Sequence, residues 1–205
     1  MFTKERFAAK IFQQLTWYFP QRENEIFLTF DDGPTPEVTP WVLSVLKEYN
    51  ARATFFCLGK KVEQNPGLFQ QIITEGHAVG NHSYSHLNGW KTKNQDYYKD
   101  INKASELIHS KLFRPPYGKI TRKQVKQLKN TYHIVMWDVL SYDYDPGISP
   151  QKCLKNVLKK TTSGSVIVFH DKANAKVNLQ YVLPEILKYY TEQGFVFKSI
   201  VSSFK

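Results

Sequence analysis

Ile26-Phe27-Leu28-Thr29-Phe30-Asp31-Asp32-Gly33-Pro34 reads as a buried strand that stops at two carboxylates. The first five residues form the continuous apolar, β-prone run of a strand covered on both faces. Gly33 and Pro34 then break the strand and turn the chain. Desolvating two adjacent carboxylates without partners is costly, and a bound cation offsets that cost. Two histidines stand four residues apart downstream, in His82-Ser83-Tyr84-Ser85-His86. One Asp and two His supply three ligands and leave an open position, the donor pattern of a catalytic metal centre. The other Asp is then free to act as a base, which points to a metal-dependent hydrolase.

Further apolar or β-branched runs occur at 53–58, 77–80, 112–114, 132–139, 165–170 and 195–200. Between the runs lie helix-period segments near 37–49, 61–75, 94–110, 121–130, 149–161 and 177–193. Asn65-Pro66 is expected to kink or restart the second of these, and Gly76 and Gly194 to stop helices. About seven strand-helix units imply an α/β fold with a parallel sheet, either open and doubly wound or closed into a distorted barrel. Ahead of them, residues 4–19 read as an amphipathic helix with Phe7, Ile11, Leu15 and Tyr18 on one side. The expected organisation is an N-terminal helical extension, 1–24, covering one end of a catalytic domain, 25–205.

The polar residues then take positions. Asp31 and Asp32 follow the first strand, and His82 and His86 the third. Arg114 ends the fourth, Asp138 and Asp143 follow the fifth, and His170 ends the sixth. Ligand sites of parallel α/β folds lie at the carboxyl ends of strands, so five distant regions converge on one face.

Composition excludes several classes. With 205 residues, 41% of them hydrophobic, the chain can bury one large core. No apolar run reaches membrane-spanning length. The charge of +10 attracts polyanions. However, lysines such as Lys152, Lys155, Lys159 and Lys160 are dispersed, and no helix-turn-helix or zinc-finger pattern accompanies them, so nucleic acid is not an expected partner. Cys57 and Cys153 carry no pairing signal and read as buried small side chains. His77, His109 and His133 read as strand-edge or surface residues. Met1–Arg6 is charged with no continuous apolar stretch after it, so no secretory leader is expected and the sequence reads as cytoplasmic. A monomer is expected.

Over residues 25 to 200 the chain resembles the polysaccharide deacetylases, or NodB-homology domains, the fourth family of carbohydrate esterases. Thr29-Phe-Asp-Asp-Gly-Pro34 is similar to the first family motif, and the resemblance makes Asp31 the base and Asp32 a metal ligand. His82-Ser-Tyr-Ser-His86 resembles the second, which supplies two metal-binding histidines. Arg114-Pro-Pro-Tyr117-Gly118 resembles the third, with Arg114 holding the base and the Tyr117 N–H facing the oxyanion. Val168-Phe169-His170 resembles the fifth, whose His is the general acid. Val168 stands where the family usually has Leu.

The fourth motif departs from the pattern, in which Asp-Trp tunes the catalytic His and lines the groove. Asp138 and Asp143 both compete for this position. The match adopted is Asp143-Tyr144, with Tyr144 as a sugar-stacking wall, while Trp90, Trp137 and Tyr142 are divided between packing and stacking. The implied fold is a distorted (β/α) barrel with about seven parallel strands. The implied cofactor is a divalent metal, zinc first, with cobalt, nickel or manganese allowed by N,O ligands. The implied activity is removal of N-acetyl groups from N-acetylglucosamine-containing glycans, peptidoglycan or chitin-like oligomers. A cell-wall substrate would require export. An O-acetyl esterase, a small-amide hydrolase and an inactive glycan-binding protein are the alternatives.

Overall fold

Ile26 to Phe30 are buried, and their two faces enter different cores. In the computed structural model, which describes residues 4–200, this run lies within β1, Glu25–Asp31. Residues 1–3 of the expected N-terminal extension and residues 201–205 of the expected catalytic domain lie outside that range. After an N-terminal helix α1, Lys4–Ile11, the order is β1, α2 Thr39–Glu48, β2 Ala53–Cys57, α3 Gly59–Gln64, α4 Pro66–Thr74 and β3 Ala78–Asn81. There follow α5 Asn94–Ser105, β4 Leu112–Phe113, α6 Arg122–Leu128, β5 His133–Ile134 and β6 Val139–Leu140. The chain closes with α7 Pro150–Lys160, β7 Val166–His170, α8 Lys176–Glu192 and β8 Val196–Phe197.

Seven strands lie in the order β5-β4-β3-β2-β1-β7-β6, and β8 pairs with the start of β1. Every pairing is parallel. The sheet curls into a distorted (β/α) half-barrel, the expected fold class. Alternation along β1 sends Ile26, Leu28 and Phe30 outward against the helices, with Leu43, Leu46, Leu183 and Ile186 in one cluster. Phe27 faces inward, with Phe56, Leu112, Val135 and Val166. Asp31 falls on the inward face at the strand's end, in register with His170 on β7.

Two segments differ from their sequence reading. The helix expected over 4–19 ends at Ile11, and residues 16–19 run extended. Thr16 N–H donates to the Ile134 carbonyl, Met136 N–H donates to Thr16, and Phe19 N–H donates to Gly164. The segment therefore bridges Val135, just past β5, and Ser165, just before β7, and gives backbone groups there their partners. Thr16-Trp17-Tyr18-Phe19 suits that role by β propensity. Leu15 is buried as expected, whereas Phe7 and Ile11 are 63% and 56% exposed. The strand expected over 132–139 is split into β5 and β6, because the Val135 and Met136 carbonyls turn to accept from the Arg114 side chain. Asn65-Pro66 divides α3 from α4 as expected.

His77 stands at the edge of β3, one of its two expected places, and is buried rather than on the surface. Its Nδ1 accepts from the Ala53 N–H at 3.2 Å, and burial, helped by Arg52, lowers its pKa to about 4. A folded-state pKa below the unfolded value of about 6.5 supports stability above that value and loses it as pH falls toward the folded one. Melting temperature should therefore drop between about pH 7 and pH 5. It should drop less in His77→Gln, which has no proton to gain. Equal drops would place the acid sensitivity elsewhere.

Candidate active site

The strand ends place the polar residues on one rim. Asn81 closes β3, and its side chain donates to the Ile101 carbonyl at 3.0 Å and accepts from the Ser83 N–H at 2.7 Å. The following loop is held by Asp100 of α5, which accepts from the Tyr84 and Ser85 N–H groups and from the Ser85 hydroxyl. Ser83 and His86 adopt left-handed backbone, φ 66° and 64°, and Asp32 does the same at φ 80°. Non-glycine residues take this conformation at a cost, and such residues cluster where side chains must be aimed. Gly33 is required by close approach, since a Cβ there would meet the Asp171 carboxylate at 1.9 Å.

Asp32, His82 and His86 converge. Their ligand atoms lie within 4.8 Å of one another. The His82 and His86 Nε2 atoms stand 3.5 and 3.1 Å from Asp32 Oδ1. That oxygen is buried without a hydrogen-bond partner, while Oδ2 accepts from Lys172 Nζ at 2.6 Å. His82 Nδ1 is 2.8 Å from the Arg114 carbonyl, so it carries the proton and leaves Nε2 a free lone pair. Burial acts to raise the Asp32 pKa, but His82, His86 and His170 outweigh it and hold the carboxyl well below the usual range. An unpartnered carboxylate oxygen facing two imidazole nitrogens fits a divalent cation of the zinc, cobalt, nickel or manganese type.

Asp31 stands beside this cluster and is held differently. Arg114, wholly buried, donates from Nη1 to Asp31 Oδ1 at 2.7 Å and to the Thr29 hydroxyl at 2.7 Å. Asp31 Oδ2 lies 3.9 Å from His82 Nε2. Tyr117 follows Pro115 and Pro116 in a tight turn, with φ 59° and its ring 4.4 Å from that of His86. Its N–H makes no hydrogen bond among the described residues.

On the opposite rim, His170 Nδ1 pairs with Asp143 Oδ1 at 2.8 Å, and the His170 N–H donates to Asp143 Oδ2 at 2.7 Å. Burial acts to lower the His170 pKa, yet Asp143, Asp31 and Asp32 outweigh it and raise it. The competitor, Asp138, lies beside the start of β7, four residues or about 13 Å of strand from His170. There it accepts from Arg6, Ser165 and the Val166 N–H. The half-exposed Tyr144 ring meets His170 edge-on at 4.7 Å. Trp137 packs near Arg114, and Trp90 is 62% exposed.

Lys172, Asp171, Asn81 and Asp100 belong to the site's frame and carried no signal of their own. Only the adjacency of Asp171 and Lys172 to His170 marked them.

The polysaccharide deacetylase family model matches residues 20–134. A peptidoglycan-N-acetylglucosamine deacetylase of Bacillus cereus is 36% identical over 194 residues, covering 91% of this chain and 70% of that protein. A second from the same organism is 34% identical over 195 residues and covers 91% of each. The crystal structure of the Bc1960 peptidoglycan N-acetylglucosamine deacetylase superposes with a TM-score of 0.87 at 33% identity, covering 94% of each chain.

Zinc titration should separate the two adjacent aspartates. Loss of an outer-shell partner typically weakens metal binding by about 10- to 100-fold, so Asp32→Ala, His82→Ala and His86→Ala should each weaken it by roughly 100-fold or more. Asp31→Asn should bind zinc within a few-fold of wild type. The reverse pattern would exchange their roles.

Proposed function

The chain belongs to the polysaccharide deacetylase family, and we propose that it removes N-acetyl groups from N-acetylglucosamine residues of peptidoglycan with a divalent metal held by Asp32, His82 and His86. The observation that carries this reading is the pair of oppositely prepared groups flanking the metal-ligand cluster. Asp31 is aimed by a buried cation, and His170 is oriented and kept basic by Asp143. When bound, the metal supplies Lewis-acid activation of water and of the amide carbonyl. Asp31 offers Oδ2 to the proton of the attacking water while Arg114 fixes Oδ1. The Tyr117 N–H, free of other acceptors, faces the oxyanion that develops at the carbonyl.

The C–N bond breaks only when nitrogen takes a proton, because an amine anion is a poor leaving group. His170 gives that proton from Nε2 while Asp143 holds Nδ1–H. The products are acetate and a free amino sugar. Tyr144 borders this proton path and offers a ring face to a sugar. The relatives named as peptidoglycan N-acetylglucosamine deacetylases support the choice of polymer.

An aryl acetate leaves without a proton, which gives the test. His170→Ala, at wild-type metal content, should lose roughly 100-fold or more in deacetylation of N-acetylglucosamine oligomers. It should retain much of its aryl-acetate hydrolysis. Parallel losses would remove His170 from the leaving-group step. A general acid must hold its proton, so activity falls as pH rises through its pKa. Asp143→Asn removes the main group raising that pKa and should shift the alkaline fall of kcat to lower pH. An unshifted alkaline limb would assign it to another group. Faster hydrolysis of acetylated xylan than of N-acetyl sugars would favour an O-acetyl esterase.

A further inference from the structure

Beside the catalytic rim lies a groove of about 700 Å³ between the N-terminal segment 10–17 and α6. Arg122, Lys126, Lys129, Trp90, Trp17 and Met136 line it, and among the described residues no Asp or Glu does. From the groove-lining residues we infer that it is a second subsite, which binds the stem-peptide carboxylates of a peptidoglycan strand while the acetamide is at the metal centre. The inference rests on the deacetylase reading and adds a preference for anionic over neutral glycans.

The charge arrangement is the first support. No Asp or Glu occurs between Leu107 and Trp137, a span that contains Lys119, Arg122, Lys123, Lys126 and Lys129. Arg122, Lys126 and Lys129 are spaced four and three residues apart, so they share one face of α6 and its C-terminal edge. Like charges at this spacing oppose helix formation. Among the described residues none of the three forms an ion pair, and all three are exposed. A face that repels itself and lacks an internal counter-ion is complementary to an external polyanion.

The second support is a fixed aromatic surface. The Trp90 Nε1–H donates to the Ile120 carbonyl at 3.0 Å, which locks the ring. Lys119 Nζ sits 4.0 Å from the ring centroid on one face. A sugar can stack on a ring held this way with little ordering cost. Gln124 ties α6 to the same loop by donating to the Gly89 carbonyl at 2.8 Å, so the helix that carries the cations is fixed to the loop that carries the ring.

Continuity with the site is the third. Trp90 stands four residues after His86, and Gly118, which lines the groove, follows Tyr117. The Met136 carbonyl accepts from Arg114 Nη2 at 2.8 Å. The groove therefore begins where the catalytic wall ends, and one glycan strand can span both.

The test compares three substrates: a neutral N-acetylglucosamine tetramer, a soluble peptidoglycan fragment with free stem carboxylates, and the same fragment with those carboxylates amidated. Wild type is set against the surface variant Arg122→Gln/Lys126→Gln/Lys129→Gln. Exposed charge contacts are individually weak, and three together should raise KM for the free-carboxylate fragment by about tenfold. The neutral tetramer and the amidated fragment should change less than about twofold, with kcat unchanged for all three. Added salt should reproduce the variant's effect in wild type.

Equal KM changes on all three substrates, or none, would overturn the subsite. So would stronger binding of wild type to phosphatidylglycerol vesicles than to the anionic fragment, because the face would then be a membrane surface. Equilibrium binding of the same fragments separates this from the deacetylase reading. Charge-selective binding without turnover of any substrate would sink the activity and keep the subsite. Turnover without charge selectivity would do the opposite.

Discussion

The ion pair between Arg114 and Asp31 organises the rim of this barrel. A guanidinium with no solvent exposure is tolerable only if its donors are engaged. Arg114 meets that demand with the Thr29 hydroxyl, Asp31 and the carbonyls of Val135 and Met136, while its Cζ lies 4.1 Å from the Phe56 ring centroid. One side chain at the end of β4 thereby fixes the end of β1 and breaks the strand that would otherwise run through 132–139. Its backbone carbonyl sets the tautomer of His82. Removing one partner of such a pair typically costs about 3–5 kcal/mol, because the other is left buried and unpaired. The proposed base and a proposed metal ligand are consequently positioned by the same residue.

The rim is also strained. Asp32, Ser83, His86 and Tyr117 all take left-handed backbone, at roughly 1–3 kcal/mol each. The surrounding hydrogen bonds hold two of these turns in place. Asn81 and Asp100 hold the loop from Ser83 to His86, and the paired prolines stiffen the approach to Tyr117. The consequence is side-chain direction. His82 and His86, four residues apart, meet across a loop rather than along a helix face.

The fold and the converging residues were legible because they depend on local pattern. A doubly buried strand needs a continuous apolar run, and a catalytic rim needs polar residues just past such runs. What was hidden depends on tertiary partners. The amphipathic reading of 4–19 is sound as periodicity, but Thr16 and Phe19 find backbone partners at Ile134, Met136 and Gly164, which no local pattern reveals. The burial of His77 at its strand edge is invisible in the sequence because its acceptor role toward the Ala53 N–H comes from a strand 24 positions away. The competition between Asp138 and Asp143 turned on which end of β7 each one reaches. Both are followed by β-prone residues, so spacing alone could not decide it.

Five buried carboxylates show how one residue type is divided by its partners. Asp31 faces a guanidinium, and Asp138 faces Arg6 beneath the sheet. Asp143 faces an imidazole whose basicity it raises. Asp32 has one oxygen on Lys172 and the other turned, unpartnered, toward two imidazoles. Asp171 has no cation: Thr39 donates to it at 2.5 Å, and burial, together with the nearby Asp32 charge, pushes its pKa up to about 8. A carboxyl that stays protonated near neutrality adds no negative charge behind Gly33 while still filling the space beneath that turn. Protonation keeps this fifth carboxyl from repelling the Asp31-Asp32 corner, and taking up that proton near neutrality is the cost of burying it there. On the rim itself, negative charge is left to the proposed metal ligand, the proposed base and the carboxylate that holds His170.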